Sequence, residues 1–189
     1  MIAKEFDQSI VMAKIKDEIV GPILEELKSN IGFEEDLVDL DVTEDQVTIR
    51  LMGETTFDTG KAKIKPQFKL LLIKLGTILK TAAGDIVIVG HTDNVPLVGG
   101  RFRSNLGLSI ARSGNVAEFL LHNTGIEPDR ISTMGFGEYR PLASNDTPQG
   151  REKNRRVEII VRTQTDMAMR SACCISVMAV CRNRLAKGS

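Results

Sequence analysis

Four consecutive β-branched residues, Ile86-Val87-Ile88-Val89, run without a polar interruption into Gly90-His91-Thr92-Asp93-Asn94. Branching at Cβ restricts χ1 and favours extended chain. An unbroken apolar run, rather than an alternating one, is what a strand buried on both faces requires. Such a strand lies inside a sheet. The polar residues it delivers therefore emerge at its carboxyl edge, where open α/β sheets bind ligands. A loop with Pro96, Gly99 and Gly100 follows, and then a helix carrying Arg112. Asp93 can accept hydrogen bonds from an ammonium group, and Arg112 can grip a carboxylate in bidentate fashion. As a pair they suit a ligand end that carries both an amine and an acid. The same residues also admit a purely structural reading, as an Asp93–Arg112 ion pair or as Asp93 capping a turn. An exposed pair contributes only about 0–1 kcal/mol, and chemistry alone leaves both readings open.

The remaining chain supplies a scaffold around that strand. Residues 3–29 read as a helix, with Ile15, Ile19, Ile23 and Leu27 recurring every fourth residue and Gly21-Pro22 expected to kink it. Its apolar stripe is expected to pack on the domain or, preferably, on a second copy of the chain. Residues 37–42 and 47–51 alternate apolar and polar around Thr43-Glu44-Asp45-Gln46, a hairpin pattern. A helix begins at Pro66, where proline is tolerated, and presents Phe68, Leu71, Leu72, Leu75, Ile78 and Leu79 as one face. A second helix spans about 105–122. Asn105, Ser109 and Arg112 share one face of it, and Leu106, Ile110, Ala117, Phe119 and Leu120 are expected on the buried side. Gly107 and Gly114 weaken it by about 0.5–1 kcal/mol each. Gly107 offers a place for close backbone approach. Short strands are expected over 131–135 and 157–161, separated by a polar loop over 141–150 and a short helix over 151–155. The sum is an α+β layer with helices packed on one side of a mixed sheet, preceded by an N-terminal helix.

Composition narrows the function. Twenty-five basic and 25 acidic residues leave no formal net charge, which argues against a nucleic-acid partner held by phosphate neutralisation. With no Trp and a single Tyr, there is no aromatic platform for stacked bases or sugar rings. No apolar run approaches the ~20 residues of a membrane span, and the first residues do not resemble a signal peptide. If the chain works outside the cytoplasm, an export or anchor segment is expected to lie outside this sequence. The three cysteines, Cys173, Cys174 and Cys181, fall in the last segment. With two well-separated histidines and no cysteine nearby, neither a metal nor another cofactor is expected. Residues 164–189 change character and read as an appendage, either a cloning-derived tail or a partner-binding segment. The division is then 1–35 as helix and linker, 36–163 as the domain, and 164–189 as the appendage.

Six blocks carry a resemblance: FDTGKAKIKP at 57–66, GHTDNVP at 90–96, NLGLSIAR at 105–112, GIEPDRI at 125–131, GFGEYRP at 135–141 and NDTPQGREKNRRVEI at 145–159. Over roughly Val47 to Arg162 the chain resembles the OmpA/MotB family of peptidoglycan-binding domains. The DNVP sequence and the long loop through Arg101–Asn105 are most like the MotB-type flagellar stator members. The resemblance implies an OmpA-like βαβαββ fold. It also implies that Asp93 and Arg112 grip the free end of diaminopimelate in a peptidoglycan stem peptide. Thr92, Asn105 and Leu108 would line the pocket, and Asn145 and Arg155 would complete or brace it. It further implies a homodimeric periplasmic domain of an inner-membrane-anchored protein, partnered by a MotA-like channel subunit through a membrane segment that this chain lacks. Two departures stand out: Ser113-Gly114 where the family usually has Ala after the binding Arg, and Leu106 where an aromatic is common. Neither removes a ligand group.

Two other readings bear on the same residues. A tether of another envelope machine, such as a type VI secretion anchor, shares the binding chemistry. An enzyme would need a triad such as His91, Asp93 and Ser109, but helical Ser109 has no nucleophile-elbow context and no second carboxylate stands out as a general acid. Phe102 and Phe136 are expected in core packing, and Glu138 and Arg140 in local loop contacts.

Overall fold

A computed structural model describes residues 16–22, 25, 38–43, 46–82 and 84–162. Strands β1 (Val38–Val42) and β2 (Gln46–Met52) form the expected antiparallel hairpin, with Val38 opposite Leu51 and Val42 opposite Val47. Helix α1 (Pro66–Thr81) follows, then β3 (Asp85–His91), α2 (Asn105–Thr124), β4 (Ile131–Gly137), the short α3 (Pro148–Asn154) and β5 (Arg156–Arg162). The sheet order is β1-β2-β5-β3-β4. β3 pairs parallel with β4 and antiparallel with β5, so the sheet is mixed and β3 is an interior strand. The fold is the expected α+β layer.

The main core lies between the sheet and the helices. Ile49, Leu51, Ile86, Ile88, Val157 and Ile159 face Phe68, Leu72, Leu75, Val116 and Leu120. Val87, Val89 and Ile160 form a smaller buried cluster on the other side of the sheet, with Phe136 packed against it. This accounts for the unbroken β-branched run, because residues pointing either way from β3 leave water. Burial of this kind stabilises by about 1.5–3 kcal/mol per large aliphatic side chain.

Helix α1 begins at Pro66 and buries Phe68, Leu71, Leu72, Leu75 and Leu79 as expected, with Ile78 partly buried against the core. Helix α2 is capped by Ser104, whose Oγ accepts from Gly107 N at 3.1 Å, and ends at Gly125 in the left-handed region, φ 70°. Its buried face differs in part from the expected one, although Ala117 and Leu120 are buried as expected. Leu106 and Ile110 are 40% and 52% exposed, while Ser109, Arg112 and Ser113 are buried beside Leu108, Val116 and Ala117. The cause is proximity. A Cβ on Gly90 would lie 2.1 Å from Ser109 O, and one on Gly135 would lie 2.7 Å from Ser109 Oγ. At Ser109 the helix lies too close to β3 and β4 for a larger side chain, and Ser113 lies on the same buried face. Their hydroxyls return to helix carbonyls, Ser109 to Leu106 and Ser113 to Ile110. Gly107 is not the point of close approach, since a Cβ there would make ordinary contact with Ser104 Oγ at 3.5 Å.

Most of the expected N-terminal helix lies outside the described residues, as does the 164–189 appendage with its cysteines. Within the described part, Lys16–Val20 forms a π-helical turn and Ile19 is buried in the main core. No helix among the described residues is long and apolar enough to cross a membrane.

Candidate functional site

A cleft of about 1350 Å³ opens at the carboxyl end of β3. One wall is α2. The second is the loop from Val95 to Phe102. The third is the strap Thr59–Ile64, which leads from the bridge between Phe57 and Ile64 toward α1. Thr92, Asp93, Asn105, Leu108, Arg112 and Arg155 all line it.

Asp93 is buried and doubly engaged. Its Oδ2 receives Arg155 Nη1 at 2.6 Å, and its Oδ1 receives Val95 N at 3.2 Å, a turn-capping bond. Asn105, at the start of α2, fixes the same turn from the other side. Its Nδ2 donates to Asp93 O at 3.3 Å, Val95 O at 3.0 Å and Glu138 Oε2 at 2.7 Å. The peptide of Thr92 is held by its N–H to Gly137 O at 2.9 Å, and Thr92 Oγ1 is buried with no partner among the described residues. A buried hydroxyl left unpaired is costly, so this one is available to a ligand.

Arg112 is locked rather than free. Nε donates to Lys61 O at 3.0 Å and Nη2 to Asp58 O at 3.3 Å, while the guanidinium sits 5.0 Å from the Phe57 ring centroid. Nη1 has no hydrogen bond to a described residue. Burial lowers the pKa of this side chain to about 10; Asp93 opposes the shift and Arg155 adds to it. It stays cationic at neutral pH, in a setting where a ligand carboxylate would compensate the lost hydration. Asp93 and Arg112 make no direct ion pair; they share one cleft and act on each other through space. Of the structural readings, turn capping by Asp93 is present, and its salt-bridge partner is Arg155.

Asn145 is placed away from the cleft. Its Oδ1 accepts from Asn154 Nδ2 at 2.9 Å and its carbonyl from Arg151 Nη1 at 2.8 Å, which braces the 141–150 loop. Asn154, fully buried, also accepts Leu142 N and Ala143 N. The residues around Arg112 escaped the sequence reading. Phe57 and the carbonyls of Asp58 and Lys61 orient the guanidinium, and Asn115 Nδ2 holds Ala62 O at 2.7 Å. The only sequence signal for them is the FDTGKAKIKP block, whose contribution is mostly backbone.

The imagined triad is dispersed. Ser109 Oγ donates to Leu106 O and accepts Gly137 N at 2.9 Å, so it is a structural tie. His91 points to the opposite sheet face, 3.6 Å from Glu158 Oε2 and 5.7 Å from the Phe136 ring. Phe136 packs on the small cluster, with Arg140 stacked over it at 3.7 Å. No group of three or more His, Cys, Asp or Glu able to hold a metal occurs among the described residues.

The cleft is electropositive although the chain is neutral overall. Lys61, Lys63, Lys69, Arg101, Arg112 and Arg155 line it against Asp93 and Glu118. A concave, basic site on a mixed sheet with a fixed carboxylate at one end is the arrangement of a ligand-binding domain. The chain belongs to the OmpA family, whose model matches residues 56–155. It is similar to Motility protein B of Bacillus subtilis, with 37% identity over 121 residues, 64% of this chain and 46% of that protein. Among solved structures it is similar to a MotB-like protein of Desulfovibrio vulgaris (TM-score 0.74, 28% identity, 82% of this chain and 98% of that one). It is also similar to the cell wall anchor of the type VI secretion system of Pseudomonas aeruginosa (TM-score 0.68, 29% identity, 77% and 96%). The chain spans about half the length of the curated relatives it matches.

Proposed function

We propose that the domain binds peptidoglycan without chemistry, by holding the amine-plus-acid end of a diaminopimelate stem peptide between Asp93 and Arg112. The observation that carries this reading is the placement of a buried carboxylate and a backbone-locked guanidinium, with Nη1 uncommitted, on the walls of one cleft. The ammonium goes to Asp93 and the carboxylate to Arg112 Nη1. Thr92 Oγ1 supplies a further bond, and Leu108 forms apolar floor. Arg155 and Asn105 position Asp93, and Asn145 acts at a distance by bracing the loop before Arg155. The bound wall would fix a larger assembly in place. The similarity to Motility protein B favours a flagellar stator: a periplasmic, homodimeric domain joined to an inner-membrane anchor and a MotA-like channel subunit. The similarity to the type VI secretion cell wall anchor supports the second reading, a tether for another envelope complex.

The test is co-sedimentation with purified sacculi, comparing wild type with Asp93→Ala and Arg112→Ala. Wild type in the pellet with both folded variants in the supernatant is the expected result. Equal pelleting of all three would remove Asp93 and Arg112 from the site.

A further inference from the structure

The cleft is far larger than the end of one amino acid, and its second half has its own chemistry. Beyond Arg112 it runs along α2 past Asn115, Glu118 and Phe119 to Asn123. The strap is pinned beside it by Arg112 Nε on Lys61 O and, one turn on, by Asn115 Nδ2 on Ala62 O. This brings Lys63 into the lining. From the other side, at the first turn of α1, comes Lys69, whose Nζ lies 5.8 Å from the Phe119 ring centroid. Neither ammonium makes an ion pair with a described residue. Arg112 and Phe119 are seven residues apart, ~10 Å along the helix axis.

Resting on the binding mode proposed above, the geometry points to a second subsite, formed by Lys63 and Lys69, that takes a carboxylate on the same ligand about 10 Å from its amine-plus-acid end. The separation fits stem-peptide chemistry. In a γ-D-glutamyl-diaminopimelate unit, the glutamate α-carbon lies nine bonds from the free diaminopimelate centre. That is roughly 10–11 Å when extended, the length of about three residues of chain. The glutamate α-carboxylate would then reach the Lys63–Lys69 pair while the free end sits at Asp93 and Arg112. Stems that carry this group as an amide lose the charge that the subsite reads. The site therefore discriminates acidic from amidated wall peptides. Lys63 and Lys69 are exposed, so each contributes modestly and the salt dependence is strong.

The experiment is calorimetric titration of the purified chain with three probes: free meso-diaminopimelate, the tripeptide L-Ala-γ-D-Glu-meso-diaminopimelate, and the same tripeptide amidated at the glutamate α-carboxyl. Wild type is compared with the double variant Lys63→Gln, Lys69→Gln. The expected result is tighter binding of the acidic than the amidated tripeptide by about fivefold, abolished in the double variant, with free diaminopimelate bound equally by both proteins. If wild type binds the two tripeptides alike, or the double variant keeps the preference, the subsite is overturned and the clamp stands. If wild type binds neither tripeptide nor the free amino acid, the clamp fails and the subsite falls with it.

Discussion

Arg155 Nη1 donates to Asp93 Oδ2 across 2.6 Å, tying the residue just ahead of β5 to the residue just beyond β3. Both side chains are largely withdrawn from water, at 24% and 11% exposure. Removing one partner strands the other's charge, and that cost exceeds the net worth of the pair. Arg155→Ala is expected to lower the unfolding free energy by about 1–3 kcal/mol and to loosen Asp93. Urea denaturation measures the first effect and sacculus binding the second. Arg155→Lys, which keeps the charge, should restore part of both. An unchanged denaturation midpoint for Arg155→Ala would show that the pair carries no stability.

The glycines separate close approach from mere flexibility. At Gly90 an added methyl meets Ser109 O at 2.1 Å, whereas at Gly114 nothing lies within 4 Å. Gly90→Ala must push α2 off the sheet and is expected to cost about 2–4 kcal/mol, with loss of binding because Arg112 moves with the helix. Gly114→Ala adds a better helix former in open space and should stabilise by about 0.5–1 kcal/mol. Thermal melts of the two variants should move in opposite directions. A melt of Gly90→Ala within a degree of wild type would mean that the helix does not rest on that strand as described.

Glu158, on the sheet face opposite the cleft, makes acid stability measurable. Burial would raise its pKa, but His91 and Arg156, with Arg156 Nε 2.8 Å away, outweigh this and lower it from 4.5 to about 2. A carboxyl whose pKa is depressed on folding contributes stability that is complete above the unfolded value and is lost as pH falls through the folded one. The window is therefore pH 4.5 down to 2, and the contribution is lost progressively across it. Glu158→Gln should be less stable than wild type at pH 7, and the gap should close as pH approaches 2. Urea midpoints taken across that range test this. Curves that stay parallel would assign the acid sensitivity elsewhere.

The strands and α1 were legible because their signals are local. The β-branched run at 86–89, the alternation around residues 43–46 and the spacing from Phe68 to Leu79 each follow from chain geometry over a few residues. The buried face of α2 was not legible by hydrophobicity. Contact with Gly90 and Gly135 favours serine over leucine there, and that pressure comes from residues on two other elements. The cleft was half legible. Asp93 and Arg112 stood out by chemistry, and Arg155 and Asn105 through resemblance. The strap was missed because it acts through the carbonyls of Asp58, Lys61 and Ala62, which side-chain identity does not report. Lys63 and Lys69 read as ordinary surface charge until α1 and the strap are brought to one rim.

Arg112 should tolerate no substitute, including lysine. The guanidinium is planar and forked: two nitrogens are fixed on Lys61 O and Asp58 O over the Phe57 ring, which leaves Nη1, without a hydrogen bond to a described residue, for the proposed ligand acid. A lysine ammonium has the charge but not the fork, so it can satisfy the strap carbonyls or the ligand, not both. It would also be drawn toward Asp93, which has no direct bond to the guanidinium. Arg112→Lys is therefore expected to lose sacculus binding nearly as fully as Arg112→Ala, by about tenfold or more in affinity, while folding close to wild type in far-UV circular dichroism. Retention of most binding by Arg112→Lys would mean that the site reads charge alone, and that the strap's hold on the guanidinium is incidental to recognition.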